Sequence, residues 1–415
     1  MNSLLICLLN SFPFGKGEEF FENELFIASE SFEKIILVTT GDITLHMRSV
    51  PENVVVIAID EGELSFKGGA IIHFLRFFVL WCKDVSIRPK QLYKRAKAIL
   101  DYWKIYKIQY FKWKRIQKKI NLKEQFLYKN VFFYDYWFAN NFLLIKWWRQ
   151  KFSYKTFYFS RAHRYDLYDE IWGAPLPFRN LLMTHINNVF PCSVHGQNYL
   201  RKKINSRIAG KVKCSYLGTP DYGLGEISKN NTYTIVSCSS LLERKKVERI
   251  VDVLAMIQED QISMSWIHFG DGPRAEYIKN YAERKLPKVS FSFMGHIDNK
   301  IVLQYYKMNP IDLFISMSES EGLPVSMMEA ISFGIPILAV NCMGISEIVN
   351  DVTGAIASPF EEDILIAHKI KNILISTSRN IERRKEIRTF WQEKFSLENF
   401  KNFYSQIKST YNQES

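Results

Sequence analysis

Asp312–Asn350 reads DLFISMSESEGLPVSMMEAISFGIPILAVNCMGISEIVN, and two acidic residues in it, Glu321 and Glu329, flank a glycine and a proline with seven residues between them. Asp312–Ser316 is a short β-branched and aromatic run of the kind that forms a buried parallel strand. Pro324 suits the first turn of a helix, where a missing N–H costs nothing. Gly334 suits its C-terminus, with Pro336 blocking continuation. Ile337–Val340 is a second buried strand, so the segment is one strand, helix, strand unit whose ligands belong beyond the strand carboxyl ends. Glu321 falls in the loop and Glu329 about two turns into the helix. A helix opening at Gly322, Leu323, Pro324 and Val325 presents backbone N–H groups to an anion, and a carboxylate further along can accept from two vicinal hydroxyls, as a ribose offers. The combination fits a sugar nucleotide better than a free anion. Two glutamates on a loop and a helix are also compatible with a purely structural segment, and the spacing alone does not choose.

The surrounding residues do more. SESEGLPVSMMEAISFGIPILA, followed by a glycine and Glu347-Ile348-Val349, resembles the signature of glycosyltransferase family 4, and the resemblance covers nearly the whole chain. It implies an α/β protein of GT-B fold, two Rossmann-like domains facing each other across a cleft: residues 1–220 on the acceptor side, 221–385 binding the nucleotide sugar, and 386–415 as a helix crossing back to the first domain.

Composition agrees with that class. A chain of 415 residues fits two or three domains, and 47% hydrophobic residues is enough for sizeable cores. A net charge of +12 favours anionic partners: nucleoside diphosphates, anionic lipid or nucleic acid. The six cysteines show no paired metal-type spacing, and a reduced, cytoplasmic compartment is the simplest reading. No segment has the roughly 18 to 20 apolar residues needed to span a bilayer, because Ala70–Cys82 is short and contains His73 and Arg76. MNSLLICLLN reads as a first core strand and not as a signal peptide.

After that strand, FPFGKGEEFFENELFIASESF puts Gly15 and Gly17 in a turn before a helical pattern. Such a turn lets a backbone approach a ligand, or simply joins strand to helix. The resemblance makes Gly17 part of a loop near the donor phosphates, with Lys16 replacing the family's second glycine. Leu92–Ile120 spaces apolar residues by three and four with lysines between, a basic amphipathic helix or helix pair. It can be a core-packed helix with a solvated lysine face, an interfacial membrane helix, or a nucleic-acid surface with stacking residues. The resemblance favours the membrane, since many family members extend polyprenyl-linked sugars at its cytoplasmic face. His163 follows a strand ending at Phe159 or Ser160. A lone histidine is commonly a structural hydrogen-bonder, but Arg161-Ala162-His163 with Tyr165–Tyr168 looks like the family's cleft histidine motif, which touches a sugar hydroxyl or the acceptor.

Gly218, Thr219, Pro220 and Gly223 make a hinge-like polar run, and a second alternating unit starts at Thr234. Lys245, in LLERKKVERI, is either a solvated helix start or, by the resemblance, the lysine on the donor diphosphate. Ser240 stands where many members carry an arginine, so Arg244 or Lys246 compensates or Lys245 acts alone. Gly270-Asp271-Gly272 reads as a structural turn, and Gly295-His296-Ile297 resembles the loop passing the nucleotide base. Phe400 and Phe403 would anchor the terminal helix.

The resemblance thus implies transfer from a nucleoside diphosphate sugar to a hydroxyl of a saccharide or polyprenyl-linked acceptor, with retention. Catalytic roles fall to Glu321, His163 and Lys245, and donor binding to Gly17, Lys245, Gly295, Ile297, Glu321, Gly322, Leu323, Pro324, Val325 and Glu329. No Asp-x-Asp clamp is present, so no metal and no bound cofactor are expected, and nucleic acid is not an expected partner. The expected location is cytoplasmic, peripheral on the inner face of the membrane, in cell-surface polysaccharide synthesis. A sugar-nucleotide epimerase or hydrolase, or a basic non-enzymatic binding protein, is the alternative.

Overall fold

The computed structural model describes residues 3–15, 17–59, 70–86, 99–119, 128, 130–138, 141–151, 156–172, 176–260 and 262–414. Lys16, residues 92–98 and Ile120, named above, lie outside them. The chain divides into two compact units: unit 1 comprises residues 1–215 and 400–415, and unit 2 residues 216–399.

Each unit is built on a six-stranded parallel sheet. In unit 1 the strands are β1 (Ser3–Leu8), β2 (Lys34–Thr39), β3 (Val54–Ala58), β4 (Asn130–Asp135), β5 (Thr156–Ala162) and β6 (Asn188–Pro191), in the order β3-β2-β1-β4-β5-β6. In unit 2, β7 (Tyr233–Cys238), β8 (Met264–Phe269), β9 (Ser290–Phe293), β10 (Leu313–Ser316), β11 (Ile337–Val340) and β12 (Gly354–Ala357) run β12-β11-β10-β7-β8-β9. Counted within its own unit, each order is 3-2-1-4-5-6, the doubly wound arrangement, and every ladder is parallel. The composition of the strands follows from this. A parallel strand is covered by helices on both faces, so SLLICL in β1 and ILAV in β11 are buried at every position and carry no polar alternation.

The helix after β10 is Val325–Ser332, with Pro324 as its N-cap and not inside the first turn. Glu329 therefore lies just over one turn in, nearer the helix start than the spacing suggested. Gly334 ends this helix at φ +70, where its N–H donates to Ile331 and that of Ile335 to Ala330. A Cβ there would meet the Arg384 carbonyl at 2.5 Å, so the glycine is required for both backbone sign and space.

Two expectations change. The polar run read as a hinge is pinned: Thr219 is buried, its N–H donates to Phe395, and its hydroxyl accepts from the Trp391 indole at 2.8 Å. The basic helix, described over Ile99–Lys119, turns Tyr102, Tyr106, Trp113 and Ile116 into the protein. That seam is core, so Trp113 is not free to insert at an interface, while Lys104 and Lys114 face solvent.

Unit 1 is locked by a buried ion pair. Arg161 Nε donates to Glu24 at 3.0 Å, with both side chains sealed from solvent. Glu24 also accepts from Tyr134 at 2.8 Å and from Tyr404 at 3.1 Å, and the guanidinium lies 4.1 Å over the Phe403 ring. The terminal helix is thus held to the first helix and to β4 and β5 through one carboxylate. Glu24→Ala leaves the guanidinium unpaired and two buried phenols without their acceptor, and a loss of roughly 3–5 kcal/mol is expected. Chemical denaturation followed by near-ultraviolet circular dichroism would measure it.

Candidate functional site

A 3-2-1-4-5-6 sheet opens a crevice at the carboxyl ends of its first and fourth strands, where successive connections leave in opposite directions. In unit 2 that point lies between β7 and β10, and the loops leaving these strands carry Lys245 and Glu321. Their side chains form an ion pair, each only slightly exposed. The loops are also joined by backbone, the Glu319 N–H donating to the Arg244 carbonyl at 3.0 Å. Lys246 takes a left-handed conformation, φ 47, which turns the chain from a short 3-10 segment into the Val247–Ile257 helix. Among the described residues, Arg244 has no ion-pair partner and the amides of Gly322, Leu323 and Val325 make no hydrogen bond. Lys246 pairs with Glu319 at 3.5 Å, so the point offers two paired lysines, one further cation and a run of donors.

Glu329 is 6% exposed and accepts from Asn299 Nδ2 at 3.0 Å. Burial pushes its pKa up to about 7, against the lowering by Asn299. Asn299 opens the helix after Gly295-His296-Ile297, so this contact joins the loop read as passing the base to the carboxylate read as holding the ribose. Gly295 sits at φ +68 with open space where a Cβ would be, and its carbonyl accepts from the Gly270 N–H at 2.9 Å. Gly270-Asp271-Gly272 is a structural turn: the Asp271 carbonyl accepts from Leu241, and a Cβ at Gly270 would meet the Ser239 carbonyl at 1.9 Å.

In unit 1 the corresponding point lies between β1 and β4. The loop after β1 carries Gly17, at φ +105 with its Cβ side open and its N–H donating to Glu19 at 2.8 Å. Its neighbour Glu18, which sequence reasoning passed over, is the organising residue. Its buried carboxylate accepts from the N–H groups of Asn10 at 2.9 Å and of Ser11 and Phe12 at 2.7 Å, and also from the Trp137 indole. Trp137, in the loop after β4, packs 4.8 Å from the ring of His163, with Tyr136 at 4.9 Å and Phe20 at 5.7 Å. His163 follows β5 directly and caps a short helix, with its N–H donating to Asp166 at 2.6 Å. Burial opposes its charge, but Cys192 and the Asp166 carboxylate outweigh burial and raise its pKa to about 10. Neither ring nitrogen has a hydrogen-bond partner among the described residues. The imidazole, with Nδ1 3.7 Å from the Asp166 carboxylate and walled by three aromatic rings, suits a hydroxyl or another oxygen acceptor.

The described residues contain no group of three or more His, Cys, Asp and Glu side chains placed to hold a metal ion, and no helix long and apolar enough to cross a membrane.

Residues 226–390 match the family model described as Glycosyl transferases group 1. The matched stretch lies within unit 2. The O-antigen biosynthesis glycosyltransferase WbnH of Escherichia coli is 27% identical over 181 residues, 43% of this chain and 48% of that protein. The chain spans about half the length of the curated relatives it matches. The solved structure of the lipopolysaccharide outer core galactosyltransferase WaaB in its apo form superposes with a TM-score of 0.65 at 14% identity, covering 98% of this chain and 99% of that one. Anabaena Alr3699/HepE, in complex with UDP-glucose, gives 0.61 at 14% identity over 98% and 99%. With the two doubly wound sheets, these likenesses make the fold GT-B.

The raised pKa of Glu329 has a signed consequence. An unfolded glutamate ionises near its ordinary value of 4.5, the native one near 7. Between these the native state holds more protons, so Glu329 lowers stability as pH rises through that window, and the penalty is complete above it. Glu329→Gln is therefore expected to melt higher than the parent at about pH 8, with the gain shrinking as pH falls towards about 5. Calorimetric melting across that range reads it.

Proposed function

We propose that the chain is a retaining glycosyltransferase of family 4 that moves a sugar from a nucleoside diphosphate sugar to a hydroxyl of a lipid-linked saccharide in cell-surface polysaccharide synthesis, without a metal ion. The observation that carries this is the meeting of Lys245 with Glu321 at the unit 2 switch point, one turn of helix before a buried Glu329. The group 1 match over the same residues supports it, as do a relative named for O-antigen biosynthesis and a GT-B neighbour complexed with UDP-glucose.

On this reading Glu329 accepts from the two ribose hydroxyls. Lys245 turns from Glu321 to the β-phosphate, joined by the amides of Gly322, Leu323 and Val325, and by Arg244 in place of the arginine that Ser240 replaces. Glu321 is then free for the hydroxyls of the transferred sugar and for the positive charge developing at its anomeric carbon. The bond from that carbon to the phosphate oxygen breaks, the acceptor oxygen bonds to the carbon on the same face, and the acceptor proton passes to the departing oxygen. His163 in unit 1 donates to a hydroxyl of the acceptor or of the sugar. Gly17 gives the backbone room beside the phosphates, and Gly295 and Ile297 border the base. The enzyme would work in the cytoplasm, on the inner face of the membrane, its exposed lysines drawn to anionic lipid.

Incubation of the purified chain with a panel of nucleotide sugars, with and without a lipid-linked saccharide, tests the reading. Nucleoside diphosphate release that requires the acceptor is expected. Release without acceptor would favour a hydrolase, an altered sugar nucleotide an epimerase, and no turnover a binding protein. Glu329→Ala should weaken calorimetric binding of the nucleoside diphosphate at least tenfold, since charge-assisted hydrogen bonds contribute roughly 1.5–3 kcal/mol each.

Lys245→Ala should lower kcat by about 10² to 10³ with a smaller change in donor affinity, because the phosphate gains charge as the glycosidic bond breaks. Equal losses in affinity and kcat/KM with kcat intact would contradict the transition-state role.

A further inference from the structure

An open pocket of about 630 Å³ lies in unit 1 among the helices Ala70–Ser86, Ile99–Lys119 and Phe142–Lys151. Four cations line it, Arg76, Lys83, Lys114 and Lys146, and among the described residues no acidic side chain does. Asp84, the carboxylate nearest in sequence, is turned inward, accepting from the Tyr102 hydroxyl at 2.8 Å and the Leu181 N–H at 3.0 Å. The cations press on one another: Lys146 is lowered by burial and then by Lys83, and His73 by burial and then by Arg76 and Lys114. Arg76, Lys114 and Lys146 gathered around one cavity invite an anion.

Apart from Gln117 and Gln150, the rest of the wall is aromatic and aliphatic. Trp147 meets Tyr106 and Tyr110 edge to face at 6.3 and 5.8 Å, and Lys114 lies 5.8 Å over the Tyr110 ring. Leu75 and Val79 line the rim and also belong to an exposed aliphatic and aromatic face of the Ala70–Ser86 helix with Ile71, Ile72, Phe74 and Phe78. Ile71 is 78% exposed, Leu75 58% and Val79 52%, so the pocket mouth is continuous with an uncovered apolar strip. A nucleic acid or an acidic peptide would use the cations and leave that strip in water. A phosphate joined to a hydrocarbon chain uses both.

We propose that this pocket binds the phosphate head of one anionic membrane phospholipid, whose hydrocarbon chain lies along the exposed face of the Ala70–Ser86 helix. The proposal deepens the membrane part of the functional reading and does not depend on sugar transfer. The segment read in the sequence as too short to span a bilayer becomes the apolar contact, and the basic helix beside it supplies headgroup cations and not inserting tryptophans.

The test is calorimetric titration of the full chain with dihexanoyl phosphatidic acid below its micelle concentration, with dihexanoyl phosphatidylcholine and inorganic phosphate as comparisons. One saturable site is expected for phosphatidic acid, at least tenfold tighter than for either comparison. Arg76 and Lys114 are exposed, so the double variant Arg76→Ala, Lys114→Ala should fold as the parent does, checked by circular dichroism, and bind phosphatidic acid at least tenfold more weakly. Leu75→Ser with Val79→Ser should lose the lipid's advantage over inorganic phosphate. Inorganic phosphate binding as tightly as the lipid would overturn the proposal, as would lipid binding unchanged in either double variant. Sedimentation with phosphatidic acid vesicles separates the two readings: vesicle binding without a saturable site for the short-chain lipid would overturn the pocket and leave membrane attachment standing. Failure of both would remove both, and neither readout involves a sugar.

Discussion

The connections of a doubly wound parallel sheet must change direction once, and that constraint determines where this chain can do chemistry. Crossovers from strand to parallel strand are right-handed, so helices after the first two strands cover one face of the sheet and those after the third, fourth and fifth the other. At the boundary, the loops leaving the first and fourth strands part. In unit 2 they carry Lys245 and Glu321, and in unit 1 Glu18 and Trp137. The residues differ, but the same backbone geometry brings each pair together.

The two units use that geometry in opposite ways. Unit 1 fills its own crevice: the Glu18 carboxylate takes the N–H groups of Asn10, Ser11 and Phe12, the amides after β1 that could otherwise hold a phosphate. What remains is an aromatic and imidazole surface around His163, suited to hydroxyls. Unit 2 leaves its amides at Gly322, Leu323 and Val325 unoccupied and supplies cations. A phosphate is therefore better served by unit 2, an asymmetry that follows from one carboxylate being present in the β1 loop.

How much of this was legible in the sequence depended on distance along the chain. Glu321, Pro324, Glu329 and Gly334 lie within one strand, loop and helix, so spacing and turn chemistry placed them on their elements, with an error of less than a turn at Glu329, while their reading as a donor site came from the resemblance. Lys245 was a candidate only through the resemblance, since LLERKKVERI reads equally as a solvated helix start. Trp137 on Glu18 is 119 residues from its partner, and Tyr404 on Glu24 is 380 away. No periodicity reports such pairs. Glu18 and Glu24 drew no reading from the sequence, and only the fold places both among buried donors. The polar run at Gly218–Gly223 misled for the same reason: its composition suggested freedom, while Phe395 and Trp391, more than 170 residues later, fasten Thr219 in place.

Glu329 shows why the donor half reads as a site and not as a well-packed accident. A carboxylate sealed in a helix with one amide donor, from Asn299, is electrostatically incomplete, and burial raises its pKa towards neutrality. Were the position purely structural, glutamine or an apolar residue would fill it at lower cost. On the proposed reading, the two ribose hydroxyls would supply the donors that the protein withholds, and their binding would favour the ionised form that burial resists. The folding penalty and the ligand preference are then one fact seen from two sides, since a carboxylate fully satisfied by the protein would have little left to offer a ribose.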